Sequence, residues 1–452
     1  MADARAYQFA PRDATGWLLG LSGGQCLSLA AAGIAASACL WAALPLAVAV
    51  VFVAAGVAAS FIRVSGMPTW DAVAAVLALA RNRRQPVGRR ALISGDIHIV
   101  EMGVPWSSTP IAVTRSSRHA SASLRVRGRS FALAEAADQD RLLAAWGAAL
   151  GAFCVDGSPV ARVVVTCWSG PTAPSSIRVD GPAAYRALVQ DAGRSFTTVE
   201  VIVTVIIDTR RVRGSHPDRV ERAVAEELRL FIQRLELAGL DATPLGRRDV
   251  HRTVDQRLQP SPPERRLSRT LADITAHGEA ELTDTAEWIS ALLGEHHRAW
   301  EVTEWPRAGV HAAWLESLLV GAAGTRTFSV SLTPVPPRVS RRRVDREAVR
   351  LATDRIQRDR AGFRVSHRSA RAAALLDARE AELVDGYGEV SFAAILTATA
   401  PTPEQLSERS SELEAAAARC GLELRRLDGR HHLAVAATLP LPADVVDEGW
   451  WA

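Results

Sequence analysis

The chain contains no lysine: all 53 of its basic residues are arginine. That absence excludes several chemistries. A P-loop ends in Gly-Lys-Ser/Thr and needs its lysine on the phosphates, and a Schiff-base or lysine-base enzyme needs an amine. No Gly-x-Gly-x-x-Gly occurs either, so nucleotide binding has no positive sign. Cysteine is sparse and scattered. Cys26, Cys39, Cys154, Cys167 and Cys420 form no Cys-x-x-Cys pair and no zinc spacing, and free thiols of this kind suit a reducing compartment. A net charge of +4 is mild for 452 residues and does not by itself argue for a nucleic-acid partner.

The longest absence is of charge itself. From Ala14 to Ile62 there is not one charged residue, and at roughly 20 residues per span this run is long enough to cross a bilayer twice. Pro45, just after Leu44, marks a helix turn near its middle. The run therefore predicts two transmembrane helices, about Gly20 to Ala43 and Leu46 to Ile62, whose small residues allow close backbone approach. The alternatives are a cleaved leader or one long buried helix. A leader has an apolar core of roughly 7 to 15 residues behind a positive start, whereas Arg5 and Arg12 are offset by Asp3 and Asp13. Beyond the run, Arg63, Arg81, Arg83, Arg84, Arg89 and Arg90 face one acid, Asp71, so the positive-inside bias places this side in the cytoplasm. The expectation is a multi-pass protein of the cell membrane with both its N-terminus and its main domains cytoplasmic. Trp17 and Trp70 would then sit at the near interface and Trp41 at the far one. The stretch Pro68 to Arg84 reads as a basic amphipathic helix lying on the membrane, with Arg81, Arg83 and Arg84 toward anionic lipid; an ordinary packed helix is the alternative.

The rest is globular in composition and divides into sheet-and-helix units. Residues 1–65 form the hairpin, 66–90 the basic helix and linker, 91–246 a first α/β domain, 247–282 a Pro/Arg-rich linker, 283–445 a second α/β domain and 446–452 a tail. The runs Val163 to Trp168 and Val199 to Ile207 are β-branched and bounded by turn residues, so they read as strands. Ala137 to Phe153 and Pro217 to Ala238 carry apolar residues at helical spacing, and Gly239 closes the second as a C-cap. The polar, proline-rich Gln259 to Arg266 marks the boundary. In the second unit the expected order is a helix around Ala286 to Arg298, a strand into Glu304, a helix Val310 to Val320 and a strand Thr327 to Pro334. Arg-rich helices to Val384, a strand Glu389 to Thr399, a helix Pro403 to Cys420 and two short strands follow. Strand, helix, Gly-Leu, strand recurs in both units, around Gly239-Leu240 and Gly421-Leu422. The fold class is thus α/β (α+β), with ferredoxin-like units as one reading of the repeat and two generic units as the other.

Catalytic patterns dissolve in their context. Gly20-Leu-Ser-Gly-Gly24 matches a nucleophile elbow, but an elbow joins a strand to a helix on a hydrolase sheet, and Ser22 stands at the mouth of an apolar helix. Asp138-Gln-Asp140 opens an amphipathic helix, where acids complement the macrodipole. His296, His297, His311, His431 and His432 have no acidic or cysteine companions at ligand spacing and read as surface or turn residues. No catalytic residue, metal or cofactor is expected. Arg341, Arg342, Arg343, Arg346 and Arg350 lie in an Arg-rich stretch with few interleaved aromatics for base stacking, which suits a docking face better than direct nucleic-acid contact.

Several phrases carry a family resemblance. Tyr7-Gln-Phe-Ala-Pro-Arg12 leading into the apolar hairpin and then a basic helix resembles the small PrgI-type membrane subunits of conjugation-like (type IV) secretion systems. Glu304 to Val310, Thr327 to Pro337, Arg379 to Tyr387 and Gly421 to Gly429 resemble an actinobacterial family of membrane-anchored transfer proteins. The soluble part of that family is similar to the non-catalytic N-terminal domain of the secretion ATPases. The resemblance implies an anchoring subunit that partners a separate secretion ATPase and a polytopic channel subunit; a homo-oligomer is left open as a further partner. The EccE component of type VII secretion is similar in outline and is the alternative. A membrane-tethered enzyme whose site is assembled from residues distant in sequence is the third reading.

Overall fold

The computed structural model of the chain describes residues 23–64, 67–68, 97–128, 134–171, 197–212, 216–258, 295–321, 324–360 and 367–442, with short pieces at 7, 9, 131, 182–186, 188, 283–284, 287 and 289–290. The uncharged run folds as a helical hairpin, Gly23–Trp41 (α1) and Leu46–Phe61 (α2). The reversal is a Schellman turn: the Leu44 N–H returns to the Cys39 carbonyl at 3.0 Å and the Ala43 N–H to Leu40 at 3.1 Å. Ala43 takes the left-handed position at φ 52°, which glycine normally fills. Pro45, unable to continue α1, caps α2 with φ −54°.

Small residues hold the two helices together. Ala36, Ala49, Gly56 and Ser60 are buried, and the Ser28 and Ser60 hydroxyls meet at 2.6 Å while Gln25 Nε2 donates to the Ser60 carbonyl at 2.9 Å. The described helices end at Trp41 and Phe61, short of the expected Ala43 and Ile62. Among the described residues no helix is long and apolar enough to cross a membrane. The 16 residues of α2 rise about 24 Å, against a hydrocarbon core of about 30 Å. The helix lengths thus correct the expectation of two complete spans to an apolar hairpin. A two-stranded ribbon, Arg63–Val64 (β1) and Met67–Pro68 (β2), follows it.

Among the described residues the body is built on one antiparallel sheet of twelve strands. Its first half runs His98–Met102 (β3), Ile111–Arg115 (β4), His119–Arg127 (β5), Ala136–Gly151 (α3), Val160–Pro171 (β6), Thr197–Asp208 (β7), Pro217–Leu237 (α4), Asp241–Pro244 (β8) and Arg247–Leu258 (α5). The second runs Thr283–Asp284 (β9), Ile289–Ser290 (β10), His296–Glu304 (β11), Glu316–Leu319 (α6), Thr325–Val335 (β12), Pro337–Arg360 (α7), His367–Val384 (α8), Glu389–Ala400 (β13), Pro403–Arg419 (α9), Glu423–Arg426 (β14) and His431–Ala437 (α10). Strand neighbours read β8-β5-β7-β6 in one half and β14-β11-β13-β12 in the other. The order of elements in space therefore repeats. Even the edges match, because β5 shares its outer side between β4 and β8 just as β11 does between β10 and β14.

Alternation along the strands sends one set of side chains to each face. On one face Val220, Val224, Leu228, Phe231 and Leu235 of α4 pack on Val203, Val205 and Ile207, and Leu406, Leu413 and Ala417 of α9 pack near Leu396 and Ala398. On the other face two smaller clusters recur, Val250 of α5 with Ile202 and Leu245, and Ala434 of α10 with Ile395 and Leu427. Gly239 and Gly421, both at positive φ, close α4 and α9 with the same Schellman pair of bonds. The halves join where β6 pairs β12 from Val163↔Leu332 to Ser169↔Arg326. Across that seam the Thr166 and Ser329 hydroxyls bond at 3.1 Å.

Four local expectations differ from the structure. Ile289–Ser290 and the start of β11 are strand where a helix around 286–298 was expected, and α6 spans only Glu316–Leu319. His431–Ala437 is helical, not strand. Arg247–Leu258, placed in the linker, is helix α5, because Val250, Val254 and Leu258 bury an apolar stripe on the sheet. Residues 259–282 lie outside the described residues.

Candidate docking surfaces

The hairpin presents its apolar side outward. Ile34, Trp41, Leu46, Val50, Val51 and Phe61 are exposed, Trp41 at 96%, and such a contiguous patch is far from the scattered single residues a monomer surface carries. Pro45 stands at its tip. Trp17, Trp70, Arg81, Arg83 and Arg84 lie outside the described residues, as does Ser22.

The second surface is the pair α7 and α8, inserted between β12 and β13. Ser340 and Val344 are buried and Glu347 and Leu351 half-buried, a three-and-four spacing that marks the inward stripe of α7. Glu389 at the start of β13 secures the pair: it accepts from the Ser340 hydroxyl and from Arg379 Nη2 at 2.6 Å, with Arg343 Nη1 at 3.5 Å. Arg379 also reaches Glu347 at 3.2 Å, and Arg338 reaches Asp156 at 3.1 Å. Of the five arginines expected on a docking face, Arg343 is therefore engaged by the body. Arg341, Arg342, Arg346 and Arg350 are exposed, alongside exposed Val349 and Ile356. The outer side of α7 combines cationic and apolar groups.

The face of the sheet opposite α4 and α9 carries buried charge near the seam. Arg257 of α5 lies 3.7 Å from Glu200, which also accepts from Arg125 Nε at 2.8 Å. Burial lowers Arg257 to about 10, so it keeps its charge at neutral pH. His297 is almost wholly buried, with Nδ1 at 2.9 Å from the Thr399 hydroxyl, and burial pushes its pKa down to about 4. His431 is buried too and accepts the Ala299 N–H at 3.2 Å. These two are structural core histidines rather than the surface or turn residues expected from sequence. Each belongs to an adjacent pair, His296-His297 and His431-His432, and the pairs gave no sign of their burial.

Asp138 pairs with Arg141 at 2.8 Å in the first turn of α3. Among the described residues no group of three or more His, Cys, Asp or Glu side chains is placed to hold a metal, and the five cysteines are free thiols. A cleft of about 210 Å³ lies between Asp156, Arg211 and Pro334, smaller than the roughly 300 Å³ at which small-molecule sites begin. One feature had no sequence signal. Tyr7 and Phe9, far from the body in sequence, lie on it, with Phe9 among Trp305, Trp314 and Phe392. No protein-family model matches the chain, and no curated protein matches it.

Proposed function

We propose that the chain is a non-catalytic, membrane-anchored structural subunit of a secretion or DNA-transfer apparatus, which docks a separate ATPase at the cytoplasmic face of the membrane. The observation that carries the anchor is the outward apolar face of α1 and α2, uncharged over its whole length. Exposing such a surface to water costs about 25 cal/mol per Å², and lipid removes that cost. The uncharged run extends from Ala14 to Ile62. The internal Ser28, Ser60 and Gln25 bonds suit a bilayer, where polar groups must be satisfied within the hairpin.

The apparatus and the ATPase partner rest on the resemblance of the quoted phrases to conjugation-like secretion subunits. The repeated β-α-β-β-α-β order supports reading the body as two ferredoxin-like units joined edge to edge. The outer side of α7 is the proposed ATPase-docking face, with Arg341, Arg342, Arg346 and Arg350 meeting acidic groups. Affinity purification of the full chain from detergent extracts tests this reading. Recovery of a conjugation-type ATPase that is lost on reversing those four charges supports it. Recovery of a type VII ATPase transfers the assignment to the EccE-like alternative, and recovery of no ATPase or channel subunit overturns the docking role.

A further inference from the structure

The N-terminal segment is held to the body by side chains from both halves. Tyr7 and Val310 exchange two backbone hydrogen bonds at 2.9 Å each, one residue-long antiparallel bridge. The Tyr7 hydroxyl donates to Asp140 of α3, the second acid of the Asp-Gln-Asp motif. Two residues on, the Phe9 ring stacks on Trp305 with centroids 5.0 Å apart and meets the edges of Trp314 at 5.4 Å and Phe392 at 6.2 Å. Trp305 in turn packs against Trp314 and Phe392 at 6.2 and 5.1 Å. The three rings thus form a socket that exists apart from Phe9.

We propose that Trp305, Trp314 and Phe392, with the Val310 backbone and the Asp140 carboxylate, form a peptide-recognition socket for an extended segment carrying two aromatics one residue apart, and that Tyr7-Gln8-Phe9 is its resident ligand in cis. Alternation explains the pattern. Residues i and i+2 of an extended ligand share a side, which is the spacing of Tyr7 on Asp140 and Phe9 among the rings, and one bridge at Tyr7 fixes the register. The 13 residues between Phe9 and Gly23 reach at most about 45 Å. A docked strap therefore ties α1 to the body in addition to the chain that follows α2. Release leaves one tether. Any partner segment of the same aromatic-x-aromatic form competes for the same socket. This inference stands independently of the membrane reading.

Two full-length proteins test it in detergent solution. The first is Tyr7→Ala/Phe9→Ala; the second keeps the native strap but carries a protease site after residue 12, cut after folding. The probe is a fluorescein-labelled peptide with the sequence of residues 1–12, read by anisotropy. A cis ligand competes at an effective concentration set by the chain that joins it to the body, so both the double variant and the cut protein are expected to bind the probe at least about tenfold more tightly than the uncut native chain. A probe with both aromatics replaced by alanine is expected to lose that binding, and Trp305→Ala in the cut protein to abolish it. Equal binding of the two probes, or equal affinity of the cut and uncut proteins for the native probe, overturns the proposal. The cut protein keeps the test decisive if the double variant fails to fold.

Discussion

Gly56→Ala probes how closely α1 and α2 must approach. A Cβ built on Gly56 falls on the methyl of Ala32, nearer than carbon atoms ever come, and 3.4 Å from the Ser28 carbonyl oxygen. Both neighbours belong to helix α1 at its rigid core, not to the end of a flexible side chain, so the helices have to separate until the methyls stand about 3.5 to 4 Å apart. Overpacking of this kind costs about 1 to 3 kcal/mol. The Ser28 to Ser60 hydroxyl contact at 2.6 Å is stretched out of reach as well, which adds about 1 kcal/mol. The combined cost of about 2 to 4 kcal/mol is large for a hairpin of two short helices. The assay replaces Ser28 and Ser60 with cysteine in the full-length chain, after Cys26→Ala and Cys39→Ala, and follows disulfide formation by the gel shift of maleimide-blocked thiols. Rapid cross-linking is expected with Gly56, at least about tenfold slower cross-linking with Gly56→Ala, and recovery when Ala32→Gly gives the methyl its space back. Cross-linking unaffected by Gly56→Ala, or no recovery in the compensated pair, refutes the packing argument.

Three other outcomes follow from the same structure. The pKa of His297 stands near 4 in the folded chain because burial disfavours its charge, whereas an unfolded histidine titrates near 6.5. The unfolded chain takes up the proton first, so stability is intact above about pH 6.5 and falls by about 3 kcal/mol as pH drops toward 4; in urea titrations His297→Gln is expected to flatten that slope, and an unchanged slope contradicts the assignment. Ala43→Gly removes the left-handed strain at φ 52° and is expected to stabilise the turn by about 1 kcal/mol, seen as about fivefold slower exchange of the Leu44 amide, with slower exchange absent if the turn is not formed. Leu228→Ala, at a position with no exposure in α4, is expected to cost about 2 to 5 kcal/mol in chemical denaturation. Leu237→Ala, at 90% exposure one residue before the cap, is expected to stay within about 0.5 kcal/mol, and equal losses at the two sites contradict the packing of α4.

The central strands were legible because Val201 to Ile207 is an unbroken β-branched run, buried on both faces from Ile202 onward, and α4 because its apolar residues recur at helical spacing up to Gly239. The glycine-leucine phrase shared by the two units marks the same Schellman turn in both. What misled was local composition. The stretch around Ala286 to Arg298 has alanine and leucine at helical spacing, yet β11 gains its ladder from β13 and β14, a tertiary interaction that outweighs propensity. His431–Ala437 carries Leu433 and Val435 in alternation, and its helix buries Ala434 on Ile395 and Leu427. The docking of Phe9 on rings some three hundred residues away was not legible, since the Tyr7-Gln-Phe9 spacing does not say which distant side chains receive it. The continuous sheet was equally hidden, because the β6 to β12 seam pairs two strands that each read as belonging to its own unit.

Partition of the intact chain after alkaline carbonate extraction of native membranes tests the anchor most directly. The account predicts that the full-length protein stays with the bilayer pellet and floats with it on a density gradient, while a chain lacking residues 14–62 moves to the supernatant. Quantitative recovery of the full-length chain in the supernatant of a detergent-free lysate contradicts it.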